Sequence, residues 1–245
     1  MTVFSTAAVE VLADPEAMAR RATAWLLAAA RAKQGSFAVA LSGGSTPRRL
    51  YELLAAPACR EAFPWARTHW FWGDERFVPH DDAESNYRMV REALLSLAPI
   101  PAANIHPIPT DGITPDEAAA AYERELQSFY GATTLAPERP LFDIVLLGVG
   151  PDGHTASLFP GTAILEERRR WVGAVVGAKP EPRITLTYPA LESSREVAFM
   201  AAGEGKRAVL GRLFGGDATL PAARLKPRGA LRFFLDRAAA PDRRP

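Results

Sequence analysis

Two groups able to move protons, Asp152 and His154, stand two residues apart in a turn punctuated by Gly148, Gly150 and Gly153. Imidazole changes protonation near neutrality, which suits it to general-base work. A carboxylate two residues away across a turn can orient the ring or shuttle its proton. Glycine permits the sharp turn and lets a ligand approach the backbone closely. The run before the turn, Leu141 to Leu147, is apolar and includes Ile144 and Val145, the pattern of a buried strand. Strand ends in open α/β sheets are where ligands bind. His154 is expected at the start of a helix, whose positive end would disfavour the imidazolium and keep the ring neutral.

Two more loops have the chemistry of anion cradles. Ser42, Gly43, Gly44, Ser45 and Thr46 follow a short strand pattern, Phe37 to Leu41, with Thr46 as cap and Pro47 opening a helix through Leu54. A strand, a Gly/Ser loop and a helix start bring backbone N–H groups together at a positive dipole end. The loop lacks the Gly-Lys-Ser/Thr ending of a nucleotide-binding loop, so a monophosphate fits it better than a triphosphate. Gly203, Glu204, Gly205 and Lys206 open a second helix, through Phe214. A lysine in a first turn opposes the helix dipole and calls for an anion. Arg76, after Asp74 and Glu75, either pairs with those acids or meets a substrate oxyanion or phosphate. Arg183, between prolines ahead of the strand Ile184 to Thr187, is a second phosphate ligand or a surface residue.

Several chemistries find little support. Gly148, Gly150 and Gly153 spell G-x-G-x-x-G, but a dinucleotide site needs an acid at the end of the next strand. Glu166 and Glu167 come before that strand. Ser157 is not in a G-x-S-x-G elbow, so no serine hydrolase triad is indicated. His69, His80 and His106 show no metal-ligand spacing, and no metal is expected. Cys59 is the single cysteine, which excludes an internal disulfide and suits a reducing cytoplasm. A formal charge of +1 gives no global field for nucleic acid or an anionic membrane. The start of the chain lacks a secretory pattern, and no apolar stretch is long enough to span a bilayer.

The remaining elements must position these loops. Asp14 and Pro15 mark a helix start, and the alanine-rich segment to about Lys33 continues it. His69 to Gly73 reads as a strand with Asp74–Pro79 as its charged end, and Tyr87 to Leu97 as an amphipathic helix. Ile105 to Ile108 is extended, Pro115 to Tyr130 is a helix capped by Thr114, and residues 131–140 form a loop. Strands follow at Trp171 to Val176, Glu196 to Ala201 and Leu231 to Leu235, and the tail from Arg237 to Pro245 is expected to fray. This alternation predicts an α/β fold, Rossmann-like, with a largely parallel sheet and helices on both faces. Without repeats or linkers, residues 1–245 are expected to form a single α/β domain.

Taken together, the segments Leu41–Pro47, Trp72–Pro79, Ser85–Met89, Leu147–Pro160, Arg183–Thr187 and Gly203–Arg207 resemble the 6-phosphogluconolactonases, in the family's order and over nearly the whole chain. The related glucosamine-6-phosphate deaminases share the Ser-Gly-Gly loop and the Asp-Gly-His turn. They continue the turn with a polar segment where this chain has Thr155 to Phe159. One departure is Glu192, where the family often has asparagine. The resemblance implies the deaminase/lactonase type of fold and hydrolysis of 6-phospho-D-glucono-1,5-lactone in the oxidative pentose phosphate pathway, without a cofactor. It implies His154 activating water, Asp152 assisting and Arg76 facing the oxyanion. Ser42, Gly43, Gly44, Ser45, Thr46, Lys206 and Arg183 would hold the phosphate. The expected partner is a small sugar-phosphate lactone, and the expected state is a cytoplasmic monomer or weak homo-oligomer. An isomerase/deaminase, needing an extra acid such as Glu166, and a non-catalytic sugar-phosphate sensor are the rivals.

Overall fold

The structure, a computed structural model, describes residues 6–242. In chain order the main elements are β1 (Ala8–Leu12), α1 (Pro15–Ala32), β2 (Phe37–Leu41), α2 (Ser45–Ala55), α3 (Pro57–Arg60), β3 (Thr68–Trp72), β4 (Asp74–Arg76), α4 (Asn86–Val90), β5 (Ile105–His106), α5 (Pro115–Tyr130), β6 (Phe142–Leu147), β7 (Val172–Val175), β8 (Arg183–Leu186), α6 (Tyr188–Glu192), β9 (Ser194–Ala201), α7 (Arg207–Phe214) and β10 (Ala230–Asp236). Helix starts follow the local chemistry. Asp14 accepts a hydrogen bond from the Ala17 N–H, and Thr114 and Glu117 form a reciprocal capping box.

Seven strands form one sheet in the order β1-β10-β9-β6-β2-β3-β5, and every pairing in it is parallel. From β2 the chain moves outward to β3 and β5. From β6 it moves the other way, to β9 and β10. Right-handed crossovers therefore place α1, α2 and α4 on one face and α5 and α7 on the other. β2 and β6 are both fully buried, as a sheet covered on both faces requires. The order reverses between these two strands, so their C-terminal loops diverge and leave a crevice.

A second, three-stranded antiparallel sheet, β4-β8-β7, lies beyond the C-terminal ends of β2 and β3. The pattern of alternation predicts Asp74–Pro79 as the charged end of β3 and Trp171 to Val176 as a strand of a largely parallel sheet; both instead pair antiparallel with β8. The break comes at Gly73, whose N–H donates to the Leu41 carbonyl while its own carbonyl accepts from the Leu186 N–H. One residue thus serves two sheets. β1 was not read from the sequence either, because its five residues pair only with β10, more than two hundred positions away. The tail was expected to fray, yet Ala239, Ala240 and Pro241 are buried and the Ala239 N–H donates to Asp236. Residues 243–245 of that stretch lie outside the described residues.

Asp143 secures the central seam. Its buried carboxylate accepts hydrogen bonds from the Ala38 N–H of β2 (2.9 Å), from Lys33 (2.7 Å) and from Arg195 (3.0 Å). Replacing it with alanine leaves a buried donor without a partner. Asp143→Ala is expected to lower stability by roughly 2–4 kcal/mol, measured by urea unfolding. A loss below about 0.5 kcal/mol, the size of an ordinary surface substitution, would show that the seam does not depend on it.

Candidate active site

The crevice holds a cavity of about 370 Å³ lined by the Ser42–Pro47 loop, Asp74, Arg76, Asn86, Gly148–Pro151, His154, Ala156, Met200, Ala202 and Lys206. Loops far apart in sequence thus converge where β2 and β6 part. Of the residues expected at the site, His154, Arg76, Lys206, Ser42, Gly43, Gly44, Ser45 and Thr46 reach this wall. Asp152 and Arg183 stand behind it.

His154 is held from several directions. Its Nδ1 lies 2.5 Å from Asp152 Oδ1, its backbone N–H donates to the same oxygen (3.1 Å), and its carbonyl accepts from the Gly150 N–H (2.8 Å). The ring lies against Phe159, with centroids 4.8 Å apart. A Cβ on Gly150 would collide with the imidazole and with Asp152, so this glycine makes room for the ring. Burial raises the Asp152 pKa, but hydrogen bonds from the His154 ring and backbone outweigh it and leave the carboxyl below its ordinary value. With Nδ1 engaged, Nε2 is the nitrogen available to the cavity. The expected helix after the turn does not form. The segment folds back through a bridge between Thr155 and Leu158, and Ala156 adopts a left-handed conformation (φ 46°). The orientation of His154 therefore comes from Asp152, not from a helix dipole.

The Ser42–Thr46 loop is anchored by Tyr51, which donates to the Ser42 carbonyl (2.8 Å) and accepts from its N–H (3.1 Å). The helix starts two residues earlier than expected, at Ser45. Gly44 (φ 96°) is its cap, not Thr46, and no side chain bonds to the first-turn N–H groups. That leaves the start of α2 facing the cavity with donors free of side-chain caps. Gly43 presses against the Asn86 amide so closely that no Cβ would fit.

The small sheet supplies the cations. Arg76 and Arg183 are direct antiparallel partners. Arg183 is buried, its Nη1 has no hydrogen-bond partner, and burial followed by the adjacent Arg76 charge lowers its pKa. Lys206 Nζ donates to the Val149 carbonyl (2.7 Å), which fastens it to the turn after β6.

Three contributors were not singled out from the sequence. Asp74 accepts from Ser157 Oγ (2.6 Å), and Asn86 donates to the Asp74 carbonyl (2.9 Å). Buried Glu75 accepts from the N–H groups of Arg76, Asn86 and Tyr87, each at 2.7 Å, and from Ser85 Oγ. Burial pushes its carboxyl up although those N–H groups pull the other way. All three lie in segments noted for their composition, but Asp74 and Asn86 reach the cavity wall, whereas Glu75 turns away from it to hold the start of α4. Other residues stay away from the wall. His69 and His106 pair with each other, and His80 meets the Ile108 carbonyl. Glu192 accepts from the Lys226 N–H, so the departure at this position bears on that loop. Among the described residues no group of three or more His, Cys, Asp or Glu side chains is arranged as a metal site.

A doubly wound sheet with an imidazole–carboxylate pair, an open helix start and adjacent cations at its switch point defines an α/β site for an anionic small molecule. The chain belongs to the glucosamine-6-phosphate isomerase/6-phosphogluconolactonase family, whose model matches residues 13–233. It is 43% identical to the 6-phosphogluconolactonase of Synechocystis sp. over 97% of this chain and 98% of that one. It is 45% identical to the 6-phosphogluconolactonase of Nostoc sp. over 94% and 96%. The crystal structure of the Thermotoga maritima 6-phosphogluconolactonase superposes with a TM-score of 0.80 at 31% identity, covering 94% of this chain and 100% of that one.

Because the Asp152 pKa is depressed in the folded state, its bond to His154 contributes stability above the unfolded value, about 3.9, and loses it as pH falls through the folded value. The stability gap between wild type and Asp152→Asn should be full above about pH 5 and close on acidification. A gap that does not change with pH in urea titrations would contradict this pairing.

Proposed function

We propose that this chain is a 6-phosphogluconolactonase, hydrolysing 6-phospho-D-glucono-1,5-lactone to 6-phospho-D-gluconate in the oxidative pentose phosphate pathway. The observation that carries this reading is the single imidazole of the wall, tied through Nδ1 to Asp152 with Nε2 left for water. Nε2 takes a proton from water as the oxygen attacks C1 of the lactone. The carbonyl becomes an oxyanion beside Arg76. Its collapse breaks the bond from C1 to the ring oxygen, and the imidazolium returns the proton to that oxygen. Asp152 keeps the ring oriented and compensates its transient positive charge. The Ser42–Thr46 backbone and Lys206 hold the phosphate, with Arg183 adding charge from behind. Binding the phosphate away from C1 orients the reacting carbonyl.

The deaminase alternative needs a further acid. Glu166 does not supply it, because its carboxylate is turned outward onto Arg224 (2.7 Å). We read residues 1–245 as one domain, since a single hydrophobic cluster joins the sheet and its covering helices. Among the described residues the only large hydrophobics that are exposed are Leu97 and Val176, which favours a monomer or weak homo-oligomer. No helix of the described residues is long and apolar enough to cross a membrane, and a cytoplasmic setting suits the lone free Cys59.

The lactone opens spontaneously, so the deciding measurement is a time course against the uncatalysed background. His154→Ala is expected to reduce kcat roughly 10²-fold or more. An unchanged rate would leave the chain as a binding protein. With glucosamine 6-phosphate, no ammonia release comparable to lactone hydrolysis is expected, and a matching rate would overturn the lactonase reading.

A further inference from the structure

The three cations at the site are not equivalently occupied. Lys206 donates to a backbone carbonyl, and the nearest carboxylate oxygen to Arg183, on Glu181, is 3.6 Å away. Arg76 alone of the three is hydrogen-bonded to a carboxylate. Its Nη1 donates to the Glu84 carbonyl (2.5 Å) and meets Glu84 Oε2 at 3.4 Å. An anion entering the cavity therefore finds one of its cations already satisfied by the protein.

Glu84 is built to let go. Its side chain is 62% exposed against 29% for Arg76. The backbone around it is braced: Asp82 N–H donates to Pro79, Glu84 N–H to the Asp82 side chain, and Ser85 N–H to the Asp82 carbonyl. Rotation of the side chain alone releases the carboxylate, while the Glu84 carbonyl keeps its hold on the guanidinium. There is also a place for it to go. Behind Arg76 lies a cavity of about 410 Å³ whose wall includes Arg76, Glu84, Arg48 and Arg88. The two outer arginines share Glu92, and Arg48 also pairs with Glu52, so a released carboxylate joins an exposed network of ion pairs.

We infer that Glu84 is an internal counter-anion that competes for Arg76 with the anionic C1 group, oxyanion and then carboxylate, and so sets how tightly product is held. The inference rests on the reading that Arg76 meets that C1 group. Glu84 leaves Arg76 as the charge forms and returns as product departs. Hydrolysis adds a carboxylate to a molecule that already carries phosphate, so the product is the more anionic ligand. Returning Glu84 to Arg76 favours its release.

The test is calorimetric binding of 6-phosphogluconate and of inorganic phosphate, with steady-state kinetics alongside. Glu84→Gln keeps the carbonyl contact and removes the charge. It should lower the Kd for 6-phosphogluconate, whose C1 carboxylate takes the oxyanion's place beside Arg76, by roughly two- to fivefold, the scale of an exposed ion pair, and leave the KM for the lactone, uncharged at C1, little changed. In an Arg76→Gln background the same change should have no further effect. If Arg76→Gln weakens binding while Glu84→Gln leaves it unchanged or weaker, Glu84 is a bystander or a support for Arg76, and the inference fails alone. If Arg76→Gln leaves binding unchanged, Arg76 does not meet the ligand, and both readings fall. Thermal unfolding of each variant separates lost binding from lost folding.

Discussion

The parallel pairing of β2 with β6 is the constraint on which the rest depends. The ladder between them pairs Val39 with Ile144 and Ala40 with Val145, and the Asp143 carboxylate extends the seam by capturing the Ala38 N–H. Both strands are buried, so their C-terminal ends are the points at which the chain can leave the sheet. Because winding reverses at this seam, the loop after Leu41 and the turn after Leu147 separate and face each other across a crevice. The anion cradle and the imidazole are opposite walls of one gap.

The small antiparallel sheet completes that gap. Gly73, just past β3, couples β2 to β8 through its own N–H and carbonyl, and the Ser157–Asp74 hydrogen bond ties the turn after β6 to β4. Two guanidiniums then sit side by side with one buried nitrogen unpartnered. Buried polar groups of this kind are costly unless something satisfies them, and an anionic ligand would do so. Glycines decide where these pieces can meet. Without a Cβ, Gly43 admits Asn86 and Gly150 admits the His154 ring.

His154 shows how a local expectation can fail while the residue still reaches the cavity wall. Its loop was read as a helix start, and a helix would have biased the ring through its dipole. The Thr155–Leu158 bridge and the strained Ala156 bend the chain away, and a carboxylate two residues earlier takes over. A direct hydrogen bond at 2.5 Å fixes both which nitrogen is engaged and the ring's direction, whereas a dipole would bias only its charge.

By itself the sequence determined most of the elements and the chemistry of their loops. The strand Phe37–Leu41 and the helix Pro115–Tyr130 have the bounds that their hydrophobic period and caps predict, because such signals act within a few residues. The motifs around Ser42, His154 and Lys206 were legible for the same reason. Tertiary structure decided what depends on distant partners. It separated β4 from β3 and brought β1 to β10. It turned Asp74 and Asn86 inward, left Asp152 and Arg183 off the cavity wall, and buried Ala239 to Pro241. Each of these outcomes is a pairing between segments far apart in the chain, and neither side of such a pair carries a local signal of the other.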